Sequence, residues 1–321
     1  MPRPSYAALT LAALPAPFLL AGCSTQEEPA AVKQPAAEIE ERDGAFTVRV
    51  NGEYFTEYRY GPDTRKPYLY PIHAPGGIPI TRGWPMEELP DEAHDHPHHT
   101  SLWFAHGDVN GHDFWHGGDT DARILFTGMF VGDEGTTFEH TWVAGENERV
   151  LTERRRMRFS GDHEIRTIDL DIELTPIDGP VTFGDTKEGT MALRLHPALR
   201  LSGPVAQGEV QNSEGVTGKD VWGKRAKWVV YSGPIDDQVV SVALFDHPEN
   251  PRHPTWWHAR DYGLFAANPF GAHDFEGAPE GTGDLTLEPD ESLRFRYRVL
   301  IRLGTAEAEA LERAWKTWSS D

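Results

Sequence analysis

The sequence predicts an all-β protein, a large antiparallel β-sandwich with one C-terminal helix. Apolar and polar residues alternate through many segments, turn-forming residues separate those segments, and helical spacing of apolar residues occurs only near the C-terminus. Strict alternation is typical of antiparallel strands that bury one face and expose the other. A chain of 321 residues, 38% of them hydrophobic, is long enough to build a core of this kind.

The strands follow one another along most of the chain. Alternation begins at residues 46–50, recurs at residues 165–174, and is clearest at residues 293–303, where arginines occupy the polar face. The remaining predicted strands, which bring the count to nine, lie at residues 124–131, 136–142, 150–159, 191–195, 227–231 and 239–245. Residues 306–318 predict the one helix, since Leu311, Trp315 and Trp318 recur at helical spacing.

The N-terminal residues predict export and lipid attachment. Residues 1–22 have the features of a lipoprotein signal peptide, with Arg3 before an apolar run and a processing site that ends at Cys23. We expect lipidation of Cys23, the only cysteine, to hold the protein in the bacterial cell envelope as its only attachment to a membrane. Residues 23–42 predict a disordered tether, and residues 43–321 predict a single β-sandwich domain.

The charge balance excludes one class of partner. The chain has 30 Lys and Arg against 51 Asp and Glu, a net charge of −21. Phosphate backbones would repel such a chain, and its longest basic run is only Arg154–Arg156, so we expect no nucleic-acid partner.

Histidines are concentrated in one segment. Eight of the fifteen lie between His73 and His116. In an extended segment, His94, His96 and His98 would point to the same side and could exchange protons near neutral pH. An alternative is that several of these histidines cap turns while nearby aromatic residues form core. A second alternative is a metal site, with His96, His98 and Asp113 as candidate ligands.

Two further segments carry polar groups between predicted strands. Residues 183–190 place Asp185, Lys187 and Glu188 beside glycines, either as a catalytic acid–base group or as a charged turn. Residues 246–271 predict a rigid, proline-rich loop that presents at least one of Trp256 and Trp257. Aromatic faces near His, Arg and Asn are typical of a sugar-binding surface.

In these segments the sequence resembles the bacterial family labelled "methane oxygenase PmoA". The resemblance covers about residues 44–304, and the motifs that carry it lie at residues 66–71, 95–99, 101–111, 184–189, 222–224 and 246–271. The label implies an integral membrane enzyme. After residue 22, however, the chain has no apolar stretch near the roughly 20 residues that a membrane helix needs, which excludes methane oxidation.

The size and strand pattern also resemble the galactose-mutarotase-like sandwiches, in which a histidine and a carboxylate exchange protons with a sugar. This resemblance implies His98 or His196 as the acid and Glu188 as the base, with Arg260, Asn110 and Trp103 holding the sugar. Because it is a likeness of fold, it implies a function only by analogy.

The predicted function is that of a cell-envelope enzyme that acts on a carbohydrate or modified sugar as an epimerase, lyase, isomerase or hydrolase. The predicted catalytic residues are His98, Glu188 and His258, and the chemistry requires no cofactor. The predicted substrate-binding residues are His96, His99, Trp103, His106, Asn110, Asp113, Asp185, Lys187, Arg260 and Asn268. Two alternatives stay open, a non-catalytic glycan-binding lipoprotein and a metal-dependent enzyme that uses the histidine cluster.

Overall fold

Antiparallel strands account for most of the fold. The computed structural model describes residues 1–2, 37–117 and 121–320. Its strands are β1 Glu38–Arg42, β2 Ala45–Val50, β3 Glu53–Arg59, β4 Tyr68–Ala74, β5 Ile78–Pro79, β6 Leu102–His106, β7 Arg123–Gly132, β8 Gly135–Ala144, β9 Glu148–Gly161, β10 Ile165–Pro176, β11 Val181–Phe183, β12 Gly189–Arg194, β13 Glu209–Asn212, β14 Trp228–Ile235, β15 Gln238–Asp246, β16 Trp256–Ala259, β17 Leu264–Asn268, β18 Leu285–Leu287 and β19 Leu293–Leu303. The helices are α1 Ala272–Glu276 and α2 Ala308–Trp318, with short 3-10 turns at Pro75–Gly77, Pro197–Leu199 and Gly218–Val221.

Two large sheets form the sandwich. The nine-stranded sheet has the order β1-β2-β3-β4-β6-β12-β17-β16, with β5 paired to β4. The eight-stranded sheet has the order β13-β14-β15-β19-β10-β9-β8-β7, and β11 with β18 forms a small third sheet. The described residues from 37 to 320 belong to one structural unit.

The core lies between the two large sheets. Phe104 of β6 packs against Trp142 of β8 and Phe295 of β19, at ring-centre distances of 6.3 and 5.4 Å. On β10, buried residues alternate with partly exposed ones along the strand, as expected for a strand with one face in the core. Its outer face carries Asp169 and Asp171, which pair with arginines of β19. These two acidic residues of β10 therefore lie on the solvent face of the sheet.

The centre of the nine-stranded sheet is buried on both faces. Every residue of β6, β12, β16 and β17 is buried. Because Phe104 points to the core, its neighbour Trp103 points to the opposite side, which we call the outer face. Trp103 is in register with Ala192, Ala192 with Ala266, and Ala266 with His258. These four residues form one row across the outer face, and loops must cover them.

A buried polar network joins the two sheets. Glu153 of β9 accepts hydrogen bonds from Arg155 at 2.6 Å and from the Trp142 indole at 2.8 Å. His140 lies 3.4 Å from the same carboxylate and 2.6 Å from the Tyr58 hydroxyl on β3. Burial disfavours the charge on Glu153, but Arg155 and His140 outweigh burial and lower its pKa from 4.5 to about 2.

The predicted fold class is confirmed. β19 has the predicted bounds, the other predicted strands are present within a few residues, and α2 begins at Ala308 within the predicted helix. The strand β1 takes in residues 38–42, at the end of the predicted tether, and pairs with β2, so the ordered chain begins before Asp43. Among the described residues, no helix has the length and apolar character that crossing a membrane requires. The predicted signal peptide at residues 3–22, the lipidation site Cys23 and tether residues up to 36 lie outside the described residues.

One segment differs from its prediction. Residues 246–271 do not form one rigid loop, since they include β16, β17 and the end of β15. Trp257 is buried on the core side, and Trp256 is buried as well. Trp256 is covered by the Arg225 guanidinium, 4.7 Å from its ring centre, and donates a hydrogen bond to Glu276 of α1. The expectation that one of these tryptophans is presented to a ligand is therefore wrong.

Replacing Glu153 tests the network that joins the sheets. Glu153→Gln leaves Arg155 buried without its counter-charge, so we expect a loss of about 3–5 kcal/mol in the free energy of unfolding at pH 7. Because the pKa of Glu153 is depressed, its contribution is complete above pH 4.5 and is lost as the pH falls toward about 2. Urea unfolding at pH 7 and pH 3 should show the difference from the wild type shrinking at the lower pH.

A control lies on the neighbouring strand. Glu139 of β8 pairs with Arg154 at 3.7 Å on the solvent side, with both side chains about half exposed. Glu139→Gln should change the free energy of unfolding by no more than about 0.5 kcal/mol. Equal effects of the two substitutions would contradict the assigned role of Glu153.

Candidate functional site

A column of stacked rings rises from the outer face of the nine-stranded sheet. Trp103 forms its base, and His99, His96 and Tyr262 follow at successive ring-centre distances of 5.2, 4.7 and 5.2 Å. The interplanar angles are 21°, 9° and 11°. Trp103 and His99 are buried, whereas His96 and Tyr262 reach solvent. The column presents an aromatic face at the protein surface.

A turn in the backbone builds this column. His96 has a left-handed backbone with a φ of 44°, and the N–H of His99 donates to the carbonyl of His96 at 3.0 Å. The expectation that His94, His96 and His98 share one side of an extended segment is therefore wrong. His94 instead stacks on Trp84 at 4.1 Å.

Two buried arginines fix the turn in place. Arg82 and Arg194 each donate to the Asp95 carboxylate, at 2.6 and 2.8 Å. Burial raises the pKa of Asp95, but Arg194, the hydrogen bond to His96 and Arg82 outweigh it and hold the pKa below 3.8. Arg194 also donates to Nδ1 of His99 at 3.0 Å, and burial lowers the pKa of His99. His99 is thus a neutral acceptor that positions the ring column.

His116 and Asp113 form a histidine–carboxylate pair beside this column. Nδ1 of His116 donates to Oδ2 of Asp113 at 2.8 Å. The other carboxylate oxygen of Asp113 accepts from the backbone N–H groups of Trp115 and His116 at 2.8 and 3.0 Å. The hydrogen bond to Asp113 raises the pKa of His116 above 6.5, and His116 is 44% exposed. The pair can therefore hold a proton on His116 near neutral pH and leaves Nε2 for a bound molecule.

A cavity of about 380 Å³ opens next to this pair. Its wall includes Lys66, His98 and His116 together with the more apolar surfaces of Tyr68 and Met86. The His98 ring centre is 4.6 Å from that of His116. Burial, followed by the charges of Lys66 and His116, lowers the pKa of His98 to about 3, so His98 is neutral at pH 7.

Glu188 adds a carboxylate within electrostatic range of His116 and Tyr262. Its charge raises the pKa values of both His116 and Tyr262, and its side chain is 20% exposed. The N–H of Gly107 donates to the carbonyl of Glu188 at 2.7 Å. A Cβ at Gly107 would lie 2.8 Å from the Glu188 Cβ, so only glycine fits there. This contact fixes Glu188 against the end of β6.

These groups can exchange protons with a small molecule. His116 can donate a proton, and Glu188 can accept one. Pairs of titratable groups held in different environments are typical of acid–base catalysis. Within residues 37–117 and 121–320, no group of three or more His, Cys, Asp or Glu side chains has an arrangement that could hold a metal ion.

Residues 45–316 match a family of unknown function, DUF6807. The chain belongs to this family. The family description assigns no activity, and the resemblance to the family labelled "methane oxygenase PmoA" stays a prediction. No curated protein matches the chain.

Solved structures similar to this family member have little sequence identity with it. A putative aldose 1-epimerase from Escherichia coli K12 is 12% identical, with 84% of this chain and 99% of that one covered and a TM-score of 0.31. A galactose mutarotase related enzyme from Lactobacillus acidophilus is 8% identical, with 84% and 97% covered and a TM-score of 0.27. A 4-alpha-glucanotransferase from Thermococcus litoralis is 12% identical, with 84% and 39% covered and a TM-score of 0.26. Likenesses as distant as these assign no activity.

Four of the predicted substrate-binding residues are buried within the protein: His99 and Trp103 of the ring column, and also His106 and Asn268. His106 lies on the core side of β6 against Phe270, and its Nε2 is 2.8 Å from the carbonyl of Gly184. Asn268 donates to the carbonyl of Thr186 and accepts from the N–H of Phe270, both at 2.8 Å. None of the four is exposed, which corrects the expectation that they contact substrate.

Two more predicted residues hold turns. Asn110, in a left-handed turn, accepts from the N–H of Thr182 at 2.8 Å. Asp185 accepts from the N–H groups of Gly283 and His273 at 2.8 and 2.9 Å. Both side chains accept hydrogen bonds from the backbone, whereas the sequence predicted that they contact substrate.

The remaining predicted residues surround the site. Trp103 lies beneath His99, and Lys187 lies beside Glu188 with its ammonium 3.6 Å from the carboxylate. His258 is buried, its Nδ1 is 3.1 Å from the carbonyl of Lys187, and burial lowers its pKa to about 4. The Arg260 guanidinium lies 5.5 Å from the Tyr262 ring centre.

His196, the alternative acid, has a structural position. Its Nδ1 accepts a hydrogen bond from the N–H of Ala198 at 3.2 Å and so caps the 3-10 turn Pro197–Leu199. This position does not match the role of acid that the resemblance implies.

The sequence prediction missed four residues of the site: Lys66, His116, Arg194 and Tyr262. His116 could have been found, because Asp113 precedes it by three residues within the histidine-rich segment. Lys66 lies in the motif of residues 66–71 that carries the family resemblance. Arg194 and Tyr262 gave no comparable signal, since their contacts come from chain segments far apart.

Replacing Asp113 tests the histidine–carboxylate pair. Asp113→Asn removes the negative charge and the strong acceptor of the Nδ1 hydrogen, so we expect the pKa of His116 to fall. Titration of the His116 ring protons by NMR measures the change. Asp237→Asn, in the exposed turn between β14 and β15, should leave the titration unchanged. An unchanged pKa in Asp113→Asn would show that the pair does not control His116.

Proposed function

We propose that this protein is an enzyme of the bacterial cell envelope that acts on a carbohydrate or modified sugar by acid–base chemistry. The observation that carries the proposal is the Asp113–His116 pair, which faces a cavity of about 380 Å³ within electrostatic range of Glu188. The site thus combines a histidine that holds a proton, a carboxylate and a space for a small molecule.

The roles follow from the environment of each group. His116, held by Asp113 with a raised pKa, donates a proton to a substrate oxygen. Glu188, fixed by Gly107, accepts a proton from the substrate. His98 is neutral and can hydrogen-bond a hydroxyl, while the buried His258 supports the backbone beside Glu188.

The surface around the site fits a sugar. A sugar ring has apolar C–H faces and polar hydroxyls, and it binds best where aromatic or apolar surface meets hydrogen-bonding groups. Tyr68, Pro85 and Met86 supply apolar surface to the cavity, and His98 and His116 supply polar groups. The stacked rings of His96 and Tyr262 add an aromatic face nearby.

Activity on sugars is the first test of the proposal. The purified protein should convert at least one member of a panel of oligosaccharides and keto-sugars, detected by mass spectrometry and by separation of isomers. His116→Gln and Glu188→Gln should each lower turnover by at least about 100-fold, the usual contribution of a general acid or base. Alanine at His98 or His258 should also lower turnover.

His163, an exposed histidine between β9 and β10, supplies the control. His163→Gln should leave turnover unchanged. Full activity in both His116→Gln and Glu188→Gln would contradict the acid–base assignment. Binding of a glycan with no conversion would identify a glycan-binding protein instead.

The envelope location rests on the predicted lipidation of Cys23. Cys23→Ser removes the thiol that would carry the lipid, so we expect the protein to move from the membrane fraction to the soluble fraction. Immunoblots of the two fractions measure the shift. Membrane partitioning equal to that of the wild type would contradict the predicted anchor.

A further inference from the structure

We propose that Lys66 is a nucleophile that forms an imine with the open-chain carbonyl of an aldose or ketose. The inference rests on the proposed function, because it names the substrate class for the same site. The amine of Lys66 is buried, and the acid–base mechanism proposed above assigns it no role.

Lys66 lies two residues before β4 and is only 4% exposed. Its ammonium group donates a hydrogen bond to the carbonyl of Trp115 and lies 5.6 Å from the ring centre of Trp103. No carboxylate among the described residues lies within ion-pair distance of it. The carboxylate that acts on it electrostatically is that of Asp113, whose oxygens already bind His116 and the backbone.

A purely structural role would not favour lysine at this position. A buried charge without a counter-charge costs stability, and methionine would fill a similar volume without that cost. Burial lowers the pKa of Lys66 to about 7, although Asp113 opposes the shift. A substantial fraction of the amine is then neutral at pH 7, whereas an exposed lysine with a pKa near 10.4 has roughly one neutral amine in 2,500.

The neighbours of Lys66 supply the remaining parts of the reaction. Lys66, His98 and His116 line the same cavity. The neutral amine attacks the carbonyl carbon and forms a C–N bond, and the resulting carbinolamine loses its oxygen as water with a proton from His116. The imine acidifies the adjacent C–H bond, whose proton Glu188 can accept. Water later hydrolyses the imine and restores Lys66, so the cycle needs no oxidant or reductant.

This chemistry narrows the substrate to sugars that open to a free aldehyde or ketone. A glycoside has no such carbonyl and could not form the imine. Among the predicted reaction types, isomerisation, epimerisation next to a carbonyl, and elimination use an imine, whereas glycoside hydrolysis does not.

Reductive trapping tests the proposal. The full chain is incubated at pH 7 with D-fructose or D-glyceraldehyde and sodium cyanoborohydride, and its peptides are mapped by mass spectrometry. We expect Lys66 to gain the mass of the sugar less one oxygen, at least about 100-fold faster than Lys219, which is 71% exposed. The chain contains only seven lysines, so the modified residue can be assigned directly.

Variants and pH give independent readouts. Lys66→Met and Lys66→Arg should abolish the fast labelling and sugar conversion, whereas Lys219→Met should change neither. The wild type needs no folding control, and in it labelling of Lys66 should reach half of its maximum near pH 7 and level off above that pH. Labelling that rises to above pH 9, in parallel with Lys219, would overturn the proposal. The groups that face Lys66 and could shape this profile are Asp113, His98 and His116.

The outcomes separate the two proposals. Sugar conversion without an adduct at Lys66, or conversion retained in Lys66→Met, would overturn the imine and leave the acid–base enzyme standing. Equal labelling of all exposed lysines would also overturn the imine, as simple glycation. Absence of both conversion and adduct across the whole panel would overturn both proposals.

Discussion

The burial of both faces at the centre of the nine-stranded sheet is the constraint on which the rest of the structure depends. One face of β6, β12 and β17 packs on the eight-stranded sheet, so the outer face must be covered by loops. Loops carry backbone and side-chain polar groups that need partners once they are buried. Asp95 with its two arginines, and the ring column above Trp103, are the solution that this chain adopts.

The polar residues beneath and around these loops fall into two groups. His99, His106 and Asn268 are buried, and each forms a hydrogen bond within the protein that holds the loops in place. His116 and Glu188 are held through only part of their polar groups, and both remain partly exposed. This difference, and not residue type, separates the structural histidines from the candidate catalytic one.

The sequence predicted strands better than it predicted the site, for physical reasons. The alternation in β19 follows from one buried face, and it located that strand to the residue. β16 was missed because prolines precede it closely and both of its tryptophans are buried. The histidine-rich segment was misread because a left-handed residue at His96 turns the chain. Burial of Lys66 depends on Trp103 and Trp115, which no local pattern around Lys66 reveals.

The pairing of β6 with β12 has a consequence for how the protein folds. Trp103 pairs with Ala192, and His258 joins the same row through Ala266 of β17. Contacts between residues so far apart in sequence form slowly, because the intervening chain must lose conformational freedom first. The outer face is therefore complete only when both halves of the chain have been brought together, and the appearance of activity would report that folding is finished.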